Sequence, residues 1–291
     1  MTTFTRRDML RIGAAAAAAM ALPRVSFGAA PAKKVGIGVQ LYSVRDACSK
    51  DFDAALKEIA GMGFEGVEFA GYHKYDGKAA ELRKKLDELG LKVAGTHIGA
   101  NSFTPDNLKK TIEFHKTIGC SLLICPGDGR FTKADGSKEL AELFNKAAVA
   151  LKPEGMYCGY HNHTHEFEAA EGGKTWWDLF AERTTKDVVL QIDFGHAIYA
   201  GVDCVALVKK NPGRVKTTHI KGRLPKGTTG KKPFVGQDTA DWKAILGACQ
   251  EVGGTEWFSI EQEDYPDGKS SMECTKISLE GLKAILKDMA K

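Results

Sequence analysis

The chain has 291 residues, with 41 Lys and Arg against 37 Asp and Glu, and a net charge of +4 with histidine neutral. A surplus this small supplies no field for gripping nucleic acid. The seven cysteines, an odd number with no close pairing, argue against a disulfide framework and read as reduced, buried residues.

The first stretch reads as an address. Thr5-Arg6-Arg7-Asp8-Met9-Leu10 is a twin-arginine pattern, followed by Ile12-Gly13, the alanine run Ala14 to Ala19, and Met20-Ala21-Leu22. Small residues offer cleavage after Ala30 or Ala32, so residues 1–32 are expected to be a signal peptide and the mature protein periplasmic. The apolar run ends at Pro23-Arg24, too short to span a bilayer comfortably, and no stable membrane anchor is expected after cleavage. Twin-arginine export carries folded proteins, often with a cofactor already loaded, which suits a metalloenzyme. Removing residues 1–30 takes out four arginines and one aspartate and leaves a net charge of about +1. The remaining 33–291 carry no low-complexity linker and are expected to form one domain.

That domain alternates short β-type runs with amphipathic segments. Strand-like runs lie at Gly36–Tyr42, Gly66–Phe69, Lys92–His97, Leu122–Cys125, Tyr157–His161, Val188–Asp193, Val215–Ile220 and Trp257–Glu261. Helical spacing appears between them at Phe52, Leu56, Ile59 and Met62, and again at Trp242, Ile245, Leu246 and Cys249; a last helix carries Leu279, Leu282, Ile285, Leu286 and Met289. Eight such units predict a (β/α)8 TIM barrel. A doubly wound sheet would want a glycine-rich phosphate loop after the first strand, whereas Gly36-Ile37-Gly38 lies inside that strand. Asp51 and Asp238 stand where the first and seventh helices need caps.

In a barrel of this kind the catalytic face is built from strand C-termini, and here nearly every strand end carries an acid, base or ligand. Glu68 sits on the second strand, His97 ends the third, and Cys125 and Asp128 follow the fourth; Gly159 to Phe167, GYHNHTHEF, follows the fifth. Asp193 and His196 come from the sixth, His219 and Lys221 from the seventh, and Glu261 and Glu263 from the eighth. Residues two apart on a strand point the same way, so His161 and His163 can both face the mouth. Asp193, His219 and Glu261 can converge there, and one histidine from the fifth strand completes a set of two imidazoles and two carboxylates. Such a set suits one divalent Mn, Co or Zn ion, with Fe and Mg as further options.

These residues carry a resemblance. GVQLYSVRD at Gly38 to Asp46, YHNHTHEF at Tyr160 to Phe167, the D-x-G-H pattern from Asp193 to His196, HIKG from His219 to Gly222 and IEQE from Ile260 to Glu263 resemble the xylose isomerase-like TIM-barrel superfamily, and most of all its bacterial sugar phosphate isomerase/epimerase branch. The resemblance implies Asp193, His219 and Glu261 on the metal, with His161 where relatives usually have a glutamate. For His196 it implies substrate contact, or a second metal as in the apurinic-endonuclease relatives. Sugar epimerases of the superfamily use two glutamates on opposite faces of the substrate, and His161 replaces one of them.

The expected chemistry is that of a metal-dependent sugar isomerase or epimerase: proton removal beside a sugar carbonyl through an enediolate stabilised by the metal. Glu261 is both ligand and base, His163 the alternative base, and Lys221 and His196 hold hydroxyls or the developing oxyanion. Glu68 and His97 are expected to touch substrate. Loss of a β-oxygen from the same enediolate would make a lyase or dehydratase, for example on a 3-keto-glycoside. A non-catalytic exported sugar-binding protein is the third reading, and it would not require the ligand set. The partner is a small sugar or keto-sugar, not nucleic acid, and an oligomeric assembly is compatible with the sequence. Trp176, Trp177 and Cys125 are expected to pack, Asn162 and Glu166 to orient neighbours, and His165 to be loop. The basic loop of Lys221, Arg223, Lys226, Lys231 and Lys232 reads as solvated surface, with capture of an anionic sugar as the alternative.

Overall fold

The computed structural model describes residues 34–230 and 232–291. The signal peptide read at residues 1–32, and Lys231 of the basic loop, lie outside the described residues. In chain order the elements are β1 (Gly36–Gln40), α1 (Arg45–Lys50), α2 (Phe52–Met62), β2 (Gly66–Phe69), α3 (Ala79–Leu89), β3 (Lys92–His97), α4 (Pro105–Ile118), β4 (Leu122–Cys125) and α5 (Ala134–Leu151). They continue with β5 (Tyr157–His161), α6 (Trp176–Arg183), β6 (Val189–Asp193), α7 (Phe194–Tyr199), α8 (Cys204–Lys210), β7 (Thr217–Ile220), α9 (Trp242–Ala248), β8 (Trp257–Ile260) and α10 (Ser271–Met289). The strands pair in parallel in sequence order and β1 closes on β8, which makes the (β/α)8 TIM barrel. Among the described residues no helix is long and apolar enough to cross a membrane.

Two layers of packing hold the barrel. The helices bury Leu56, Ile59, Leu82, Leu86, Phe144, Phe180, Leu279 and Leu282 against its outer face. Inside, a separate apolar cluster of Leu122, Ile124 and Val189, with Tyr157 and Trp257 against it, fills the end where the strands begin. Trp257 needs room: a Cβ at Gly36 or Gly66 would stand 2.5 or 2.9 Å from its ring. Glycine is required there because the tryptophan takes the volume two side chains would otherwise share. Gly159 meets the backbone of β6, where a Cβ would fall 2.5 Å from the Val189 carbonyl oxygen. That close approach brings β5 beside β6 with His161 opposite Gln191.

Asp51 caps α2 as expected, its side chain accepting from Ala54 N at 3.1 Å. Asp238 does not cap α9. Asp241 does, accepting from Ala244 N, while Asp238 accepts from the Trp242 indole at 2.8 Å and from Ala240 N at 3.0 Å. The first strand ends two residues earlier than the sequence pattern implies, because Leu41–Val44 already turns as a 3-10 segment after Gln40. Trp177 is fully buried, Trp176 packs on the helical core, and Cys125 is buried among apolar neighbours.

Candidate metal centre at the barrel mouth

Above the apolar plug the period of two along each strand stacks polar side chains inside the barrel. Gln191 and Thr217 lie one step below Asp193 and His219, and Ser259 lies below Glu261. The β6–β7 register sets Asp193 directly beside His219. At this level His161, Asp193, His219 and Glu261 come together, each able to place one ligand atom within 4.8 Å of all the others. Their exposures are 2%, 0%, 0% and 5%, so the group is out of bulk water. A cation with bonds of about 2.1 Å keeps its ligands about 3–4 Å apart, so a small adjustment of four side chains accommodates one. The donor set of two imidazoles and two carboxylates fits a borderline divalent ion better than a purely oxygen-seeking one.

Local structure fixes each of these groups. Asp193 ends β6 and caps α7: its Oδ1 accepts from His196 N at 2.8 Å, which leaves Oδ2 for the cluster. Asn162 ties β5 to β6, accepting from Asp193 N at 3.0 Å and donating to Asp193 O at 3.2 Å. Glu166 accepts from His163 N at 2.8 Å and holds the turn after β5. His165 is exposed on that turn.

The charges are balanced by two cations. Lys221 Nζ donates to Glu261 Oε2 at 3.1 Å, to Asp193 Oδ2 at 3.4 Å and to Glu263. Burial would lower this ammonium, but Asp193, Glu261 and Glu263 raise it further into the charged range. His219 is likewise raised well above its ordinary value, against its burial, by Glu261 and Glu68. Burial would raise Glu261, yet Lys221 and His219 hold it well below the usual carboxylate range. Burial and the neighbouring Glu261 push Asp193 the other way, up to about 7, with Lys221 opposing. Two carboxylates sharing one site therefore keep a proton near neutral pH. A metal ion must displace that proton and the one on His219 Nδ1, so its apparent affinity is expected to rise at least tenfold per pH unit between pH 6 and 7. Titration calorimetry with Zn²⁺ or Mn²⁺ at both pH values measures this, and uptake independent of pH would contradict it.

A cavity of about 360 Å³ opens over the group, lined by Tyr42, Ala70, His97, Pro126, His161, His163, Glu261 and Glu263. His163 stands in its wall, 5.0 Å from the His161 ring centre and 4.9 Å from that of His196, and burial lowers it to about 4, so it is a neutral acceptor. His97 also lines the cavity. His196 does not; it faces an adjoining recess of about 160 Å³, where Arg223 Nη1 donates to its Nδ1 at 2.6 Å.

Glu68, expected to touch substrate, does not reach the cavity. It is 0% exposed, inside the barrel beneath the ligands, and its carboxylate accepts from His219 Nε2 at 2.9 Å and from Gln191 Nε2 at 2.8 Å. The second strand ends one residue beyond it, so Ala70 rather than Glu68 presents the β2 tip to the cavity. Gln191 is the polar group the sequence reading missed. Its only signal was a polar residue inside VLQID, two before Asp193.

A larger surface cleft of about 480 Å³ lies between α4 and the segments that follow β2 and β3, and none of the four clustered residues lines it.

The chain is 28% identical over 192 residues to an inosose dehydratase of Clostridium perfringens, covering 58% of this chain and 63% of that protein, so it spans less than two thirds of that relative's length. An inosose dehydratase of Clostridium beijerinckii is 25% identical over 255 residues, covering 74% of this chain and 83% of the relative. Among solved structures, a sugar phosphate isomerase/epimerase from Parabacteroides distasonis superposes with a TM-score of 0.69 at 25% identity, over 88% of this chain and 96% of the other. With residues 56–285 matching its profile, the chain belongs to the xylose isomerase-like TIM barrel family.

Proposed function

We propose that this protein is a metal-dependent enzyme that removes a proton beside the carbonyl of a keto-sugar or cyclic keto-polyol and then expels a β-hydroxyl, a carbon–oxygen lyase reaction. The observation that carries this reading is the buried pair of imidazoles and pair of carboxylates beneath a sugar-sized cavity that holds one further neutral base, His163.

His161, Asp193, His219 and Glu261 would hold the metal, and a divalent ion there polarises a carbonyl and so acidifies the adjoining C–H. Glu261 or His163 takes the proton from that carbon; both line the cavity. Lys221, buried against Glu261 and Asp193, offsets the charge that develops on oxygen. Whichever of the two has taken that proton returns it to the departing hydroxyl oxygen, so that water leaves and a C=C bond conjugated to the carbonyl remains. Elimination is preferred to the inversion that two glutamate ligands on opposite faces would perform, because the clustered set has one glutamate, Glu261, with His161 in the place of the other. The dehydratase names of two relatives point the same way. Isomerisation is the second reading, supported by the likeness to the Parabacteroides sugar phosphate isomerase/epimerase.

The test is to incubate Mn²⁺-, Co²⁺- or Zn²⁺-loaded protein in deuterated water with an inosose, 3-keto-glycosides and simple ketoses. An unsaturated ketone absorbing in the ultraviolet, with deuterium exchange beside the carbonyl, is expected for one of the first two classes. Exchange with a rearranged sugar and no loss of water would favour the isomerase. Absence of both, across the panel and with every metal, would refute the enzymatic reading.

A further inference from the structure

The hydrogen bonds beneath the ligand group have only one consistent polarity. Glu68 accepts at both oxygens, from His219 Nε2 at 2.9 Å and from Gln191 Nε2 at 2.8 Å, and His97 Nε2 also stands 3.1 Å from its Oε1. An ionised carboxylate cannot donate, so the amide of Gln191 must turn its NH₂ end toward Glu68. Its Oε1 is thereby turned the other way, toward His161 Nδ1 at 3.0 Å and His97 Nε2 at 2.8 Å. A carbonyl oxygen only accepts, so both of those ring nitrogens must carry hydrogen. The second amide hydrogen of Gln191 goes to Thr217 Oγ1 at 3.3 Å, which completes its bonding.

We infer that Glu68 and Gln191 form a relay that fixes, from one buried carboxylate, which ring nitrogen of each of three histidines holds its proton from below. His161 is left with a lone pair on Nε2, His219 turns toward the ligand group the Nδ1 whose proton, now donated to Glu261, a metal would displace, and His97 keeps Nδ1 as an acceptor in the wall of the cavity. The two candidate ligands therefore present opposite ring nitrogens, each because its other nitrogen is claimed from below. Glu68 and Gln191 are positioning residues, and His97 becomes a specificity determinant that accepts a hydrogen bond from a substrate hydroxyl. Outer partners of this kind orient a ligating imidazole and raise its basicity. Only the consequence for metal binding rests on the proposed function; the tautomers themselves do not.

Two-bond ¹H–¹⁵N correlation on histidine-labelled, metal-free protein reads the tautomers directly. The expected result is a neutral His161 with its proton on Nδ1 and His97 with hydrogen on Nε2. Glu68→Gln keeps the shape but lets the Gln191 amide turn over, so His161 is expected to shift toward the Nε2–H form, and Zn²⁺ affinity, measured by competition with a chelating dye, to fall about 10–100-fold. Gln191→Leu, which removes the acceptor while leaving His219 on Glu68, is expected to do the same to His161, whereas His97 keeps Glu68 Oε1, 3.1 Å from its Nε2, as acceptor. A wild-type His161 protonated on Nε2, or a folded Glu68→Gln variant with unchanged tautomers, would overturn the relay. Wild-type protein that shows the expected tautomers but takes up no Zn²⁺, Mn²⁺ or Co²⁺ would support the relay and refute the metal-dependent function separately.

Discussion

Glu261→Gln is expected to lower turnover by about 10²- to 10⁴-fold at saturating metal while leaving the barrel folded. The side chain meets His219 Nδ1 at 3.0 Å and Lys221 Nζ at 3.1 Å, and it also lines the cavity, so it joins the proposed metal position to the substrate. An amide oxygen can still accept from His219 and Lys221, which preserves packing, but it is a far weaker base than a carboxylate. The fold is checked by circular dichroism and the chemistry by kcat at several metal concentrations. A loss confined to metal affinity, with full kcat once the site is filled, would leave Glu261 as a ligand only and move the base to His163. Activity close to wild type at all metal concentrations would remove Glu261 from the mechanism.

Lys221→Met should have its largest effect on the metal-free protein. Lys221 is buried between Asp193, Glu261 and Glu263, and removing it leaves these carboxylates without their main counter-charge. Breaking a buried ion pair from one side costs about 3–5 kcal/mol, because the abandoned charges stay out of water. At about 2–4 °C per kcal/mol for a domain of this size, the melting temperature is expected to fall by roughly 6–20 °C. A divalent ion supplies the missing positive charge, so the variant should gain more from added Zn²⁺ or Mn²⁺ than the wild type does, since in the wild type the metal must share the carboxylates with the ammonium. Thermal denaturation with and without metal measures both effects. A variant as stable as wild type without metal would show that Lys221 is not the counter-ion of the group.

The contrast between Glu68 and Asp193 shows how far sequence reading went. Both are acids at or near a strand end that follow an apolar residue. Asp193 could be placed because its strand stops there and because the D-x-G-H pattern from Asp193 to His196 carries the resemblance. Glu68 looked the same in one dimension, but its strand runs on to Phe69 and leaves it one layer down, facing His219 rather than the cavity. Gln191 was illegible for a related reason: a single amide inside a buried strand has no pattern, and its meaning comes from partners 94 and 123 positions away. His196 was likewise placed at the mouth by its spacing, while the arginine and lysine that bracket it in the adjoining recess come from the loop after β7.

The alternation of eight short apolar runs with amphipathic segments was enough to fix the (β/α)8 barrel, because periods of 2 and 3.6 are local properties of the backbone and survive without knowledge of neighbours. The location of acids and histidines at strand C-termini was local in the same way. Which of them share a layer, which nitrogen each imidazole offers and which cation balances which carboxylate were decided only by closing the sheet. Closure sets the register between strands far apart in sequence, and a change of one residue in depth separates a group that meets substrate from one that holds another side chain in place.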